Sequence, residues 1–216
     1  MKPDTRTVAA TAPYLCWMAL MLALPTGAAA YAVRAACCAA LLAAYAVAVR
    51  PRLRCGASSL ALGAAVGLAV FAAWAWPERF GWYVKFFVVG SPGPATAPSA
   101  YDPAVCGWPL SLARLAGSAF VIAPAEELFF RSFLYRRLQS RDWTSVDMRR
   151  LDFGAFAWTV GLFALEHDRI LAGAVAGAAY GLLAVRRGIG AATVAHVVTN
   201  FALGAYVIWR GAWEFW

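Results

Sequence analysis

Apolar residues in this chain fall in long, nearly unbroken runs rather than in the short alternations of a water-soluble fold. The runs cover about 11–27, 31–49, 57–76, 110–135, 153–167, 170–186 and 189–209. Most approach the ~20 residues that a membrane-crossing helix requires. Short polar connections separate them, except across residues 77–109. The pattern predicts an all-α fold: a polytopic transmembrane helical bundle of about seven membrane helices, with eight as the alternative count. The long connection divides it into 1–109, N-terminal transmembrane helices with an outer interfacial loop, and 110–216, a helical core.

Composition agrees and narrows the class. Of 216 residues, 62% are hydrophobic and only 14% charged, with a mean hydropathy of +0.63, which leaves no separate soluble domain. The net charge of +8 therefore reads through topology, and no nucleic-acid partner is expected. With the N-terminus cytoplasmic, twelve basic residues fall inside: Lys2, Arg6, Arg50, Arg52, Arg54, Arg136, Arg137, Arg141, Arg149, Arg150, Arg186 and Arg187. Only Arg79, Lys85, Arg169 and Arg210 fall outside. That bias sets N-in and C-out. Trp74, Trp76, Trp82, Trp108, Trp209, Trp213 and Trp216 gather on the outer side as an aromatic belt, which by itself implies no ligand site. The first run has a second reading, since "LPTGAAAYA" also fits the cleavage region of a secretory signal.

The remaining punctuation is mostly architectural. "ERFGWYVKFF" suits an interfacial segment, and "GSPGPATAPSAYDP" a surface linker, with a lid as the alternative. Gly173, Gly177 and Gly181 form a stripe that admits another helix closely. Cys16, Cys37, Cys38, Cys55 and Cys106 show no CxxC, and they read as packing residues rather than a disulfide or metal framework.

Candidate chemistry lies in the few polar groups inside the apolar runs, where charge is expensive and faces a protein-lined cavity. These are Arg34, Arg114, the Glu126/Glu127/Arg131 group, Glu166–His167–Asp168, and His196 with Asn200. Both histidines of the chain belong to this set. Glu127 and Arg131, four apart, share a helix face and pair. Glu126 points about 100° away, and its own i+4 neighbour is Phe130. It is left to find a partner on another helix, so Glu127 and Arg131 read as structural and Glu126 as chemical. Phe163 and His167 share one face, and His196 and Asn200 another. A carboxylate with a histidine can deprotonate water, while a histidine with an asparagine can stabilise an oxyanion. Arg34 and Arg114 read as snorkelling or structurally paired, and Glu166, Asp168 and Arg169 as a solvent-facing turn. Pro124 is positioned to kink its helix. Counting along the helices leaves His167 nearer the outer side and His196 nearer the inner.

E-E-x-x-x-R (Glu126, Glu127, Arg131), F-x-x-x-H (Phe163, His167) and H-x-x-x-N (His196, Asn200) resemble, in order and spacing, the CAAX-processing and bacteriocin-processing (CPBP, or Abi) membrane proteins. The resemblance covers about 110–216. "LEHDRILAG" and the Trp-rich "GAWEFW" are similar to the CAAX-protease-related branch associated with bacterial exosortase sorting. The resemblance implies an intramembrane endopeptidase of glutamate type in a bacterial inner membrane, with 110–216 as its catalytic core. Glu126 and His167 would activate water, His196 and Asn200 would form the oxyanion site, and Glu127, Arg131 and Phe163 would support it. The implied partners are membrane lipid and a membrane-associated, lipidated or sorted protein substrate; the oligomeric state stays open. No cofactor is implied. Zinc on Glu126, His167 and His196 is the alternative, and a non-catalytic scaffold or immunity protein is the alternative function.

Overall fold

The computed structural model describes residues 4–85 and 99–216, whose secondary structure is helical, with no strand among the described residues. Helices α1 (Thr5–Ala23), α2 (Ala28–Ala44), α3 (Ala46–Leu53) and α4 (Ala57–Glu78) form the N-terminal half. The other half carries α5 (Pro103–Cys106), α6 (Trp108–Ala116), α7 (Ala123–Glu127), α8 (Tyr135–Gln139), α9 (Phe153–Ala164), α10 (Ile170–Arg187) and α11 (Ile189–Arg210). Carboxylates satisfy the first free amides of several helices. Asp4 accepts from the Arg6 N–H at 3.0 Å, Asp102 from Ala104 at 2.8 Å and Asp152 from Ala155 at 2.8 Å. Gly188, at φ 90°, turns the chain from α10 into α11 through a conformation that a side chain would oppose.

By length and composition α4, α10 and α11 are able to cross a membrane, and α2 and α9 are shorter apolar helices. The run at 31–49 breaks at Tyr45 into α2 and α3, and the run at 153–167 stops being helical after Ala164. Residues 86–98, with most of the linker or lid, and Lys2 lie outside the described residues.

The run at 110–135 follows one helical path but not one pitch. Between α6 and α7, Gly117–Ile122 is π-helical, and Leu128–Leu134 between α7 and α8 is π-helical again. Pro124 has no amide hydrogen to donate one turn back. Just before it, the Ala123 N–H reaches back five residues to the Ser118 carbonyl. Pro124 was expected to mark a kink, and the helix around it is widened on both sides of the glutamates.

Two stripes of glycine set the packing. Gly63 and Gly67 on α4 face α11, where a Cβ on Gly63 would come within 2.7 Å of the Ala191 carbonyl oxygen and one on Gly67 within 2.8 Å of the Val198 Cβ. The Thr199 hydroxyl bonds across this contact to the Gly67 carbonyl at 2.9 Å. On α10, Gly173 and Gly177 lie against Ala164, Phe163 and His167, and Gly181 against Phe156. The second stripe thus brings α10 against the helix and turn that carry the F-x-x-x-H residues.

The turn at 165–169 is not the solvent-facing one expected. Arg169 is 2% exposed. It donates to Glu78 at 2.9 Å, to Asp168 at 2.7 Å and to the Glu214 carbonyl at 3.0 Å, tying α4, the turn and the C-terminal segment together. Glu78 also pairs with Lys85. Those partners lie up to 91 positions away in sequence, so local context reads as an exposed turn.

The α4–α11 contact yields a stability prediction. Gly67→Leu should destabilise the protein in detergent by about 1–3 kcal/mol through overpacking. Gly161→Ala, with open space around it, should be neutral or stabilising by up to ~1 kcal/mol. Thermal unfolding of the two variants beside the parent checks both.

Candidate active site

A cavity of about 630 Å³ opens among the helices, and Glu126, Phe163, His167, His196 and Asn200 all line it. Three parts of the chain meet there: α7 with its flanking π turns, the end of α9 with the turn after it, and the middle of α11.

Glu127 is completely buried, so its charge needs partners from protein. Arg131 supplies one, its Nη1 3.1 Å from Glu127 Oε1 in the i,i+4 pair expected. The Arg131 Nη2 donates to the Gly177 carbonyl at 3.2 Å, and its guanidinium lies 4.3 Å from the centre of the Phe163 ring. The second partner is His196, whose Nδ1 lies 3.0 Å from the same carboxylate oxygen. A carboxylate accepts, so this nitrogen carries the hydrogen. The other ring nitrogen, Nε2, lies 3.6 Å from Glu126 Oε2.

One imidazole therefore faces both glutamates. Their ~100° separation on the helix, which seemed to keep them from a common target, is bridged because they meet opposite nitrogens of a ring passing between them. Tyr180 holds that ring in place, stacked at 4.7 Å and 21°. Its hydroxyl donates to Thr199 at 2.8 Å.

His167 belongs to the same cavity by a different route. It follows α9 in a turn, and its Nδ1 lies 2.8 Å from the Phe163 carbonyl, an acceptor, which leaves Nε2 as the acceptor nitrogen of the neutral ring. The Phe163 ring stands 4.8 Å from the His167 ring and 5.8 Å from the His196 ring. The depth mismatch between the histidines is thus resolved by the early end of α9 and by one shared aromatic spacer. On α11, the Asn200 amide donates to the Ser118 carbonyl at 3.0 Å, committing one of its two hydrogens.

Other residues were missed or misread in the sequence. Tyr180 and Thr199 gave no motif, although Tyr180 is the only polar-tipped residue in the small-residue run of α10. Trp74 and Trp216, assigned to an interfacial belt, line the cavity; Trp74 stands edge-on to His167 at 5.3 Å, and Trp216 is 5% exposed. Glu166 and Asp168 line it too. Arg34 and Arg114 form no ion pair among the described residues. Arg34 is 5% exposed and lies 5.3 Å from the Trp17 ring. Arg114 lies over Tyr31 at 4.2 Å, Tyr101 at 5.0 Å and Trp216 at 5.7 Å.

Among the described residues no group of three His, Cys, Asp or Glu side chains is placed to hold a metal ion. Of the trio read from sequence, His167 and His196 commit their Nδ1 atoms to the Phe163 carbonyl and to Glu127, which leaves the chemistry of each ring to its Nε2.

The chain has no significant match among curated proteins or among solved structures. A family model does match, across residues 108–202, and its description is "Type II CAAX prenyl endopeptidase Rce1-like". The matched stretch runs from the first turn of α6 to just past Asn200 and so contains all three motifs and the cavity wall they build. With the motifs in register and their side chains around one cavity, residues 108–202, just under half of the chain, are similar to the Rce1-like family of CAAX endopeptidases.

Proposed function

We propose that the cavity is the active site of an intramembrane endopeptidase of glutamate type, acting on a membrane-associated, lipidated or sorted protein. The observation that carries this reading is the His196 imidazole set between Glu126 and Glu127 on the cavity wall. Glu127 and Arg131 form the buried clamp, and Glu126, 13% exposed at its side chain, faces the open space. Both ring nitrogens of His196 thus face a carboxylate oxygen, Nδ1 at 3.0 Å from Glu127 and Nε2 at 3.6 Å from Glu126.

In this mechanism a water lies between Glu126 and the Nε2 of His167. It attacks the carbonyl carbon of the scissile bond as Glu126 takes its proton. His196 Nε2–H and the uncommitted Asn200 amide hydrogen stabilise the oxyanion that forms. Collapse of the tetrahedral intermediate breaks the C–N bond as Glu126 returns the proton to the departing amine. Glu127 positions His196, and Phe163 keeps the two histidines apart.

The positive-inside bias supports an N-terminus in the cytoplasm, and the seven apolar runs are read as crossings of a bacterial inner membrane. The C-terminal tryptophans and "LEHDRILAG" favour the exosortase-associated branch. Nothing in the cavity calls for a prenyl group in particular.

The test compares protein termini in membranes from cells carrying the parent or Glu126→Gln. A terminus produced only with the parent is expected, and identical sets of termini would sink the assignment. With that product as substrate, Asn200→Ala should lower kcat by about 10²–10³-fold, with little change in KM. A zinc chelator should leave the rate unchanged.

The clamp and the base should separate in stability. Arg131→Met leaves Glu127 buried without its cation and should cost about 3–5 kcal/mol. Glu126→Gln should unfold within a few degrees of the parent. Thermal unfolding in detergent reads both, and equal losses would contradict the division of roles.

A further inference from the structure

The cavity has a second polar end. Arg114, Ser118, Ile122 and Glu126 recur every four residues and all line it, so one helical stripe leads from the catalytic carboxylate to a guanidinium. Around that guanidinium stand Tyr31, Tyr101 and Trp216, and Arg34 also lies near Tyr31, 5.8 Å from its ring centre. Gly117 makes the arrangement possible, since a Cβ there would come within 2.9 Å of the Tyr31 ring.

This end is rich in donors and has no anion of its own. The Nε of Arg34, the Nε of Arg114 and the hydroxyl of Tyr31 are buried without a hydrogen-bond partner. No ion pair reaches either arginine among the described residues, and residues 1–3 and 86–98 contain no Asp or Glu. Two cations beside aromatic faces gain some stabilisation, but that leaves the buried Nε–H of each unused, at a cost typical of buried donors. A planar oxyanion accepted by the guanidinium fork would satisfy them.

We propose that Arg114, backed by Tyr31 and Arg34, is a subsite for a carboxylate carried by the peptide substrate. The inference rests on the endopeptidase reading of the same cavity. Arg34 is buried, while Arg114, Tyr31 and Trp216 line the cavity. A group that reaches these donors arrives through the space that holds Glu126, which favours the peptide over a lipid headgroup. Twelve residues of helix separate Arg114 from Glu126, ~18 Å of rise. An extended peptide covers that in roughly five residues, so the anchored carboxylate sits about five residues from the bond that is cut. It is either the C-terminus of the substrate or an acidic side chain.

The test uses Glu126→Gln protein in detergent, so that binding is read without cleavage. Three fluorescent Ala/Leu hexapeptides are compared: one with a free C-terminal carboxylate, its C-terminal amide, and the amide with one internal Asp. At least one carboxylate peptide should bind about tenfold or more tighter than the neutral amide, and which one identifies the source. Adding Arg114→Gln should reduce the preference to about twofold or less, while Arg114→Lys keeps part of it. Equal affinity for all three peptides, absence of binding included, overturns the subsite. So does a preference that survives Arg114→Gln. Loss of the preference when phosphatidylglycerol is added to the micelles assigns the arginine to lipid phosphate and overturns the peptide subsite. The peptide comparison needs no change at Arg114, so it stands even where that variant fails to fold. A negative result here leaves the comparison of termini untouched, and the two readings fail separately.

Discussion

A carboxylate with no access to water is the constraint on which the rest of this structure depends. Glu127 is fully buried, and a lone charge there would cost many kcal/mol. Arg131 on the same helical path and His196 on α11 meet that demand, and Arg131 in turn reaches the carbonyl of Gly177 on α10. One buried charge thereby joins three parts of the chain that are far apart in sequence. Because His196 is committed to Glu127 through one nitrogen, its other nitrogen must face Glu126. The placement of Glu126 beside that ring is thereby tied to the structural pair.

Helix irregularity makes room for this. The π turns on either side of α7 widen the helix that carries both glutamates, and the Ser118 carbonyl accepts from Asn200 as well as from the Ala123 N–H. Such turns recur at functional sites for this kind of reason. Glycine does the complementary work elsewhere, drawing α4 onto α11 and α10 onto α9, so that close packing surrounds a cavity without filling it. Phe163 then serves three contacts at once, with Arg131 and with each histidine.

Much of this was legible in the sequence because bilayer residence makes polar residues scarce. Seven runs mark the helical path, and the motifs hold five of the nine charged or imidazole side chains inside the runs. The pairing of Glu127 with Arg131 follows from a four-residue spacing and needs no tertiary knowledge. What could not be read depends on distant partners. The burial of Arg169 rests on Glu78 and Glu214, and the inward turn of Trp216 rests on Arg114. The shared ring of His196 depends on where α11 crosses α7. Hydropathy also could not show the change of helical pitch around Pro124, since π and α turns use the same apolar residues. The aromatic belt misled for a related reason: a tryptophan near a helix end reads alike whether it meets lipid or a cavity.

The cluster and the arginine box give the cavity two poles, a carboxylate that faces water and a cation without an anion. That polarity is how a peptide would be placed in one direction across the reacting groups. Its foundation is the state of a single ring, and the chain contains only two histidines. Nitrogen-15 NMR of histidine-labelled protein, with His167→Gln to assign the signals, reads that state directly. The account predicts that His196 carries hydrogen on both nitrogens at neutral pH, and that Glu127→Gln removes this signature. A bare nitrogen on His196 in the parent protein would contradict it.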